Sequence, residues 1–225
     1  MTLTKELEQF VRKEDVDLFG VAPLERFKNA PTDRHPSRYL DDTVCIISLG
    51  IRLNKAVVNN LPNTRRSYEA VYRTSNARLN ELALSVARFL EERGYRAVNI
   101  PASDPYKKAA YAGDLSHRHV AQAAGLGEFG LNNLLLTPRY GPRVRFVSVI
   151  TNAPLESSPL LKEHICTECR TCIKSCPSGA LSVNLDSHDW TVGRRIHYGQ
   201  CNDYMVSALD GLECGMCIKA CPIGS

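Results

Sequence analysis

Hydrophobic side chains recur at helical spacing in two stretches of the first half of the chain. An N-terminal face is formed by Leu3, Leu7, Phe10 and Val11. A longer face is formed by Leu79, Leu82, Val86, Phe89 and Leu90. Residues at this spacing lie on one side of a helix, and Gly94 provides a common helix stop. The pattern therefore predicts an N-terminal helix and a long helix over residues 67–93.

Continuous apolar runs predict the strands. Residues 43–51 are almost wholly apolar, which is typical of a strand buried on both faces. Cys45 lies in this run and is expected to be a small buried hydrophobe. Shorter runs predict further strands over residues 17–22, 96–100, 131–137 and 143–151, the last two joined by a turn at Tyr140-Gly141-Pro142. A short helix ending at Ala124 is predicted after its N-cap, Ser116.

These elements alternate along the first two thirds of the chain. The alternation predicts an α/β domain over residues 1–155, followed by a cysteine-rich module over residues 156–225. The composition agrees with a globular protein, because 44% of the 225 residues are hydrophobic and 23% are charged. The net charge of +4 is too small to indicate a nucleic-acid partner by itself.

No part of the sequence has the pattern of a membrane or export segment. The longest apolar runs are far shorter than the ~20 residues of a membrane-spanning helix. The N-terminus shows neither the pattern of a signal peptide nor a twin arginine. We therefore expect a cytoplasmic protein without a membrane partner.

Cysteines are concentrated near the C-terminus. Eight of the nine lie between Cys166 and Cys221, and only Cys45 lies outside this region. An odd number of cysteines without an export signal argues against a disulfide framework. A tight group of thiols in a cytoplasmic protein indicates a metal site instead.

The first cysteine motif is the ligand run of bacterial two-cluster ferredoxins. It reads C-x2-C-x2-C-x3-C-P, and its cysteines are Cys166, Cys169, Cys172 and Cys176. Three closely spaced thiolates bind three corners of one cube, and the fourth binds the other cube. Zinc sites more often use two separated pairs of ligands. The motif therefore predicts [4Fe–4S] clusters.

The second motif lacks its first cysteine at the regular position. Cys214, Cys217 and Cys221 repeat the spacing, but position 211 is Gly211. The nearest upstream thiol is Cys201, which we expect to complete the site; the alternative is a cluster with three protein ligands. By the ferredoxin crossing rule, one cluster has the ligands Cys166, Cys169, Cys172 and Cys221. The other cluster has the ligands Cys176, Cys201, Cys214 and Cys217.

A glycine-rich segment precedes the cysteine module. Gly125, Gly127 and Gly130 match the dinucleotide-binding fingerprint G-x-G-x-x-G. That fingerprint requires a strand before the glycines and a helix after them, whereas the predicted order here is helix and then strand. The sequence therefore excludes a dinucleotide site, and leaves a tight turn or close approach to a large flat cofactor.

The same segment resembles a known family. Residues 123–136, AAGLGEFGLNNLLL, are similar to the A-G-L-G-W-I-G-K-N-T-L-L signature of epoxyqueuosine reductases. The resemblance continues through residues 151–155 and both cysteine motifs, and reductive dehalogenases share this plan. Glu128 and Leu131 replace the signature's tryptophan and lysine, and Asn152 replaces a later aspartate.

The resemblance implies a fold and a set of cofactors. It implies a nitroreductase-like α/β domain that binds cobalamin, followed by a ferredoxin-like module whose two clusters reduce the cobalt. It places four residues near the corrin ring: Gly125, Gly127, Gly130 and Asn132. Epoxyqueuosine reductases continue into a helical-repeat domain that helps hold tRNA, whereas this sequence ends at Ser225. A tRNA partner is therefore not expected.

The resemblance also implies candidates for the proton donor. In epoxyqueuosine reductases an acidic residue seven positions before an arginine donates the proton. With Arg118 as that arginine, Tyr111 takes the donor position, as a tyrosine does in dehalogenases, and Asp114 is the second candidate. Arg118 would stabilise the anion that develops during reduction. The alternatives are a core-packed loop aromatic for Tyr111 and a turn or capping residue for Asp114.

Other polar residues near this segment leave alternatives open. His117 and His119 lie two positions apart on a predicted helix and are not expected to share a metal. Arg139, Arg143 and Arg145 either contact cofactor amides or an acidic substrate, or form an exposed basic strand edge.

Three functions follow from these observations. The first is a corrinoid-dependent oxidoreductase that receives electrons from an external donor and reduces a small molecule. The second is an electron-transfer protein that reduces the corrinoid of a redox partner protein. The third is a reductase that uses FMN, because a nitroreductase-like fold can hold flavin.

Overall fold

The computed structural model describes residues 1–103, 113–181, 193 and 196–224. Its strands are β1 Leu18–Pro23, β2 Cys45–Arg52, β3 Ala97–Ile100, β4 Glu128–Phe129, β5 Leu135–Leu136 and β6 Val144–Thr151. Its helices are α1 Leu3–Lys13, α2 Lys55–Asn59, α3 Arg65–Glu91, α4 His117–Ala123, α5 Thr171–Lys174, α6 Tyr198–Ala208 and α7 Met216–Lys219. In the part of the chain that the structure describes, no helix is long and apolar enough to cross a membrane.

The chain forms two compact units. The first unit comprises Met1–Ile51, Asn76–Leu126 and Arg145–Leu161. The second unit comprises Arg52–Ser75, Gly127–Val144 and Lys162–Ser225, and therefore contains every cysteine of both motifs. Segments from the predicted α/β region thus accompany the cysteines, and the division at residue 155 remains a prediction.

The first unit is built on a mixed α/β core. A four-stranded sheet has the order β1-β2-β6-β3, with β1 antiparallel to β2 and β3 antiparallel to β6. One apolar cluster contains side chains of α1, α3, β2 and β6, including Leu7, Leu82, Ile47 and Val149. A second cluster contains Ile46 and Ile150 from the same two strands. Neighbouring residues of a strand point to opposite faces, so β2 is buried on both faces, as predicted, and β6 is buried on both faces as well.

The predicted strand over residues 131–137 is shorter in the structure. It is confirmed only at its end, where β5 pairs antiparallel to β4 and Thr137 forms an isolated bridge with Gly141, and the chain before β5 turns. Asn132 accepts a hydrogen bond from the amide of Leu134 through Oδ1 at 3.1 Å, and Asn133 has a φ of 57°. Asparagine side chains compete with strand pairing and tolerate the left-handed region. The apolar run alone did not reveal this turn.

Among the described residues of the second unit, two small apolar clusters hold the cysteine loops. One cluster is formed by Leu53, Val58, Leu61 and Tyr68, with Met216 and Ile218 packed against it. The other contains Leu131, Cys172 and Leu181. The residues before the two short helices, Arg170 before α5 and Gly215 before α7, both have left-handed backbones, with φ of 58° and 67°. The two motifs therefore turn in the same way at the same position.

Candidate metal centre

Four thiols of the second unit surround one cavity. Cys166, Cys169, Cys172 and Cys221 line it together with Leu131, Asn132 and Leu136. The pKa of Cys172 is raised to about 11, first by burial and then by the neighbouring thiols of Cys221, Cys166 and Cys169. Asn132, which the family resemblance places near a corrin ring, thus lies in the wall of a thiol cavity. We call the four cysteines Cys166, Cys169, Cys172 and Cys221 the first quartet.

The remaining four thiols form a second quartet of Cys176, Cys201, Cys214 and Cys217. The pKa of Cys201 is raised to about 11, first by burial and then by the neighbouring thiols of Cys214 and Cys176. Burial is also the first cause that raises the pKa of Cys217, and the neighbouring thiols of Cys214, Cys201 and Cys176 raise it as well. Cys201 therefore faces the other members of the quartet, although twelve residues separate it from Cys214.

The chemistry of the quartets fits cubane clusters. Four neighbouring thiolates repel one another, and cations between them remove this repulsion. Within the described ranges, no three His, Cys, Asp or Glu side chains are spaced to hold a single metal ion. In a cubane, each thiolate binds a different iron atom. The structure brings together the same two sets of cysteines that the crossing rule predicts.

A buried carboxylate holds the start of the first motif. Glu128 lies in β4, and its side chain is only 8% exposed. Its Oε1 accepts hydrogen bonds from the amides of Ile165 at 2.5 Å and Cys166 at 2.8 Å, and His164 Nδ1 lies 3.0 Å from Oε2. A buried carboxylate without partners is costly. The Glu128 carboxylate instead accepts hydrogen bonds from two backbone amides, that of the first predicted ligand, Cys166, and that of the residue before it.

A second carboxylate holds the second motif in a similar way. Glu69 of α3 accepts a hydrogen bond from the amide of Glu213 through Oε2 at 2.8 Å. Arg65, one turn earlier, donates to the carbonyl oxygens of Glu213 at 2.9 Å and of Cys214. Each cysteine loop is thus fixed at its first residues by a glutamate from a distant part of the chain.

Sequence reasoning identified neither carboxylate as part of the site. For Glu128 a signal existed, because a charged residue stands where the family signature has tryptophan. Glu69 gave no comparable signal, because a glutamate in a long helix is usually a solvated surface residue. In this structure Glu69 is instead buried.

The predicted proton donors are placed only in part. Tyr111 lies outside the described residues. Asp114 is exposed, and its carbonyl oxygen accepts a hydrogen bond from the hydroxyl of Tyr39 at 2.8 Å. Burial and then the charge of Asp114 raise the pKa of Tyr39, so the carboxylate lies near this hydroxyl. Arg118 lies in the first turn of α4.

The two histidines of α4 have separate partners. His117 contacts the hydroxyl of Ser148 at 2.8 Å and the carbonyl oxygen of Pro101 at 2.9 Å. Burial is the first cause that lowers its pKa to about 4. His119 contacts the hydroxyl of Ser116 at 2.6 Å. Ser116 is the residue before α4, at the predicted N-cap position, but its side chain makes no hydrogen bond to a helix amide.

The glycines are required by the protein's own packing. Gly125 ends α4 with a φ of 73°, and a Cβ there would lie 1.9 Å from the carbonyl oxygen of Pro159. A Cβ on Gly127 would lie 2.1 Å from the carbonyl oxygen of Leu136. On Gly130 it would lie 2.6 Å from a methyl group of Leu136. These contacts account for the three glycines, and a cofactor contact at them remains a prediction.

Comparison with known proteins agrees with this geometry. Residues 165–225 match the family described as "4Fe-4S dicluster domain". Epoxyqueuosine reductase of Listeria monocytogenes is 41% identical over 75 residues, which are 33% of this chain and 20% of that protein. Tetrachloroethene reductive dehalogenase of Sulfurospirillum multivorans is 27% identical over 201 residues, which are 87% of this chain and 34% of that protein.

Solved structures show the same fold over nearly the whole chain. Epoxyqueuosine reductase from Bacillus subtilis has a TM-score of 0.69 at 20% identity, covering 99% of this chain and 65% of that one. A reductive dehalogenase described by its B12-dependent dehalogenation has a TM-score of 0.71 at 20% identity, covering 97% of this chain and 31% of that one. At this identity the likeness concerns the fold alone.

The chain spans about a fifth of the length of the first relative and about a third of the second. The shared fold is α/β with a ferredoxin-like part, and a nitroreductase-like detail remains a prediction. The flavin alternative receives no support from these relatives. Residues 165–225 are therefore a 4Fe–4S dicluster domain, and the predicted kinship of the chain with the epoxyqueuosine reductase and reductive dehalogenase superfamily is confirmed.

Proposed function

We propose that this chain is an iron–sulfur reductase that passes electrons from an external donor, through two [4Fe–4S] clusters, to a corrinoid that reduces a small molecule. The observation that carries the proposal is the pair of crossed thiol quartets in one compact unit. The likeness to reductases of two kinds, one described as B12-dependent, supports the corrinoid.

The quartets adjoin each other, which favours transfer between clusters. Cys172 of the first quartet is one of the thiols that raise the pKa of Cys217 in the second quartet. Burial and the thiols of the second quartet itself have larger effects on this pKa. Cys176 follows Cys172 by four residues and belongs to the second quartet. Since consecutive Cα atoms lie about 3.8 Å apart, the Cα atoms of Cys172 and Cys176 are at most about 15 Å apart. The protein's part is to hold two clusters close together and partly shielded from water.

The segment that precedes α4, with Tyr111 and Asp114, would supply the proton. A corrinoid, when bound, supplies a low-potential cobalt, and the protein supplies position and protons. Tyr111 is the first candidate for the donor and Asp114 the second, with Arg118 holding the substrate or product anion. The exposure of Asp114 and its contact with the Tyr39 hydroxyl through its carbonyl oxygen are compatible with a polar site open to ligands.

The experiment is anaerobic purification and reconstitution, followed by iron and sulfide analysis and absorbance spectra with and without cobalamin. We expect about eight iron and eight sulfide per chain, and a corrin band that shifts when the protein is added. An iron–sulfur spectrum without cobalamin uptake would contradict the corrinoid. Electron delivery to a separate corrinoid protein would then establish the electron-transfer function instead, and FMN uptake the flavin function.

A further inference from the structure

Two hydroxyl groups of the first cysteine motif contact sulfur atoms of predicted cluster ligands. Thr171 Oγ1 donates a hydrogen bond to Sγ of Cys169 at 3.2 Å. The hydroxyl oxygen of Ser178 lies 3.5 Å from Sγ of Cys176. Both contacts join residues two positions apart within the second unit. None of the steps proposed above uses either hydroxyl.

The contact of Ser178 has one possible direction once iron is bound. A thiolate that binds iron carries no hydrogen, so the serine hydroxyl must be the donor to Cys176. The hydroxyl oxygen of Ser178 also accepts a hydrogen bond from the amide of Ala180 at 3.3 Å. This bond uses a lone pair of the oxygen and leaves its hydrogen available for the sulfur. Thr171 and Ser178 therefore both donate to a ligand sulfur.

The second cysteine motif has no hydroxyl at the equivalent positions. When the motifs are aligned on their cysteines, Met216 corresponds to Thr171 and Ile223 corresponds to Ser178. Neither methionine nor isoleucine has a side-chain donor. The residue before α5 and the residue before α7 nevertheless have the same left-handed backbone, with φ of 58° and 67°. The turn therefore does not require a hydroxyl, and the two hydroxyls are available for another role.

The two hydroxyls contact ligands of different clusters. Cys169 belongs to the first quartet, whereas Cys176 belongs to the second quartet. The reason is that the fourth cysteine of the ligand run binds the other cube. Two hydroxyls of one short segment can therefore act on two separate clusters.

We propose that Thr171 raises the reduction potential of the first cluster and that Ser178 raises the reduction potential of the second. Reduction adds one negative charge to a cubane and its thiolates, and a hydrogen-bond donor stabilises the more negative state more strongly. Hydrogen bonds to the sulfurs are among the factors that set the potential of an iron–sulfur cluster. This inference rests on the two-cluster part of the proposed function, and it is independent of the corrinoid and of the substrate.

The experiment is anaerobic redox titration of the reconstituted protein, followed by electron paramagnetic resonance of the reduced clusters. Thr171→Val replaces the hydroxyl with a methyl group and keeps the shape of the side chain. We expect the equilibrium constant for reduction of one cluster to fall about tenfold, which makes its potential about 59 mV more negative. The contact of Ser178 is longer, so Ser178→Ala should lower the constant of the other cluster about threefold, or about 28 mV.

Each single variant is the matched control of the other. Thr171→Val should move half of the total signal, Ser178→Ala should move the other half, and the double variant should move both. Thr171→Ser keeps a hydroxyl and should keep the parental potentials. A Thr171→Ser variant shifted as far as Thr171→Val would show that packing rather than the hydrogen bond sets the potential, and would overturn the proposal. Parental potentials in both single variants, or a shift of the same cluster in both, would overturn it as well.

Iron analysis separates this inference from the proposed function. About eight iron per chain with unchanged potentials in the variants would contradict the roles of the two hydroxyls alone. A parent protein that cannot be loaded with two clusters would overturn the proposed function, and this inference with it.

Discussion

The carboxylate of Glu128 should determine how firmly the first cluster is held. The substitution Glu128→Gln keeps the size and one acceptor oxygen of the side chain but removes its charge. In the parent, Oε1 accepts from the amides of Ile165 and Cys166. The amide of Cys166 belongs to a predicted cluster ligand, so loosening these bonds should free the first motif to open.

The magnitude follows from the two amide bonds. Hydrogen bonds to charged groups contribute about 1.5–3 kcal/mol and neutral ones about 0.5–1.5 kcal/mol, so each bond should lose about 1 kcal/mol. The ring of His164 is 69% exposed, so its contact with Glu128 adds little. A total of about 2 kcal/mol corresponds to about a thirtyfold larger open population. Local opening of this kind does not require global unfolding.

The assay is anaerobic transfer of iron from reconstituted protein to a chelator. We expect two phases in the variant, with one cluster lost up to about thirtyfold faster than in the parent and the other at the parental rate. Glu69→Gln is the matched control, because it makes the same change beside the second motif. In that control, the other cluster should become the labile one.

Two results would refute this reasoning. Parental release rates in Glu128→Gln would show that the carboxylate does not hold the motif closed. Equal acceleration of both clusters in both variants would show that the two loops open as one body, so the two glutamates do not act on separate clusters.

Three further predictions follow from the described contacts and the proposed roles. Cys201→Ser should remove about half of the iron. Cys45→Ser should keep the parental iron content, because Cys45 is buried in the apolar core of the first unit. Full iron content in Cys201→Ser would show that Cys201 is not a cluster ligand. His117 has a folded pKa of about 4, below its ordinary value of about 6.5. The unfolded chain therefore binds the proton more tightly, and stability should fall as pH drops from about 6.5 to about 4; a melting temperature that falls equally in His117→Gln would contradict this. Tyr111→Phe or Asp114→Asn should slow turnover of an identified substrate about 10²–10⁴-fold with unchanged cluster content, and parental turnover in both variants would exclude both donors.

The sequence by itself determined the local features of this protein. Helix and strand positions followed from the spacing of apolar residues, because each element must bury one face or both. The ligand runs followed from cysteine spacing, because three thiolates a few residues apart can bind one cube. The order of helix and strand around Gly125 excluded a dinucleotide site for the same local reason, and β4 follows α4 as that argument required.

The tertiary structure decided everything that depends on distant contacts. Only the fold places Cys201 beside Cys214 and Cys176, and only the fold brings Glu69 to the amide of Glu213, 144 residues away. Arg52 and Arg139 likewise come from separate segments and lie near the same ring, that of Tyr140. A buried backbone amide needs a hydrogen-bond partner, but the local sequence does not specify which distant segment supplies it.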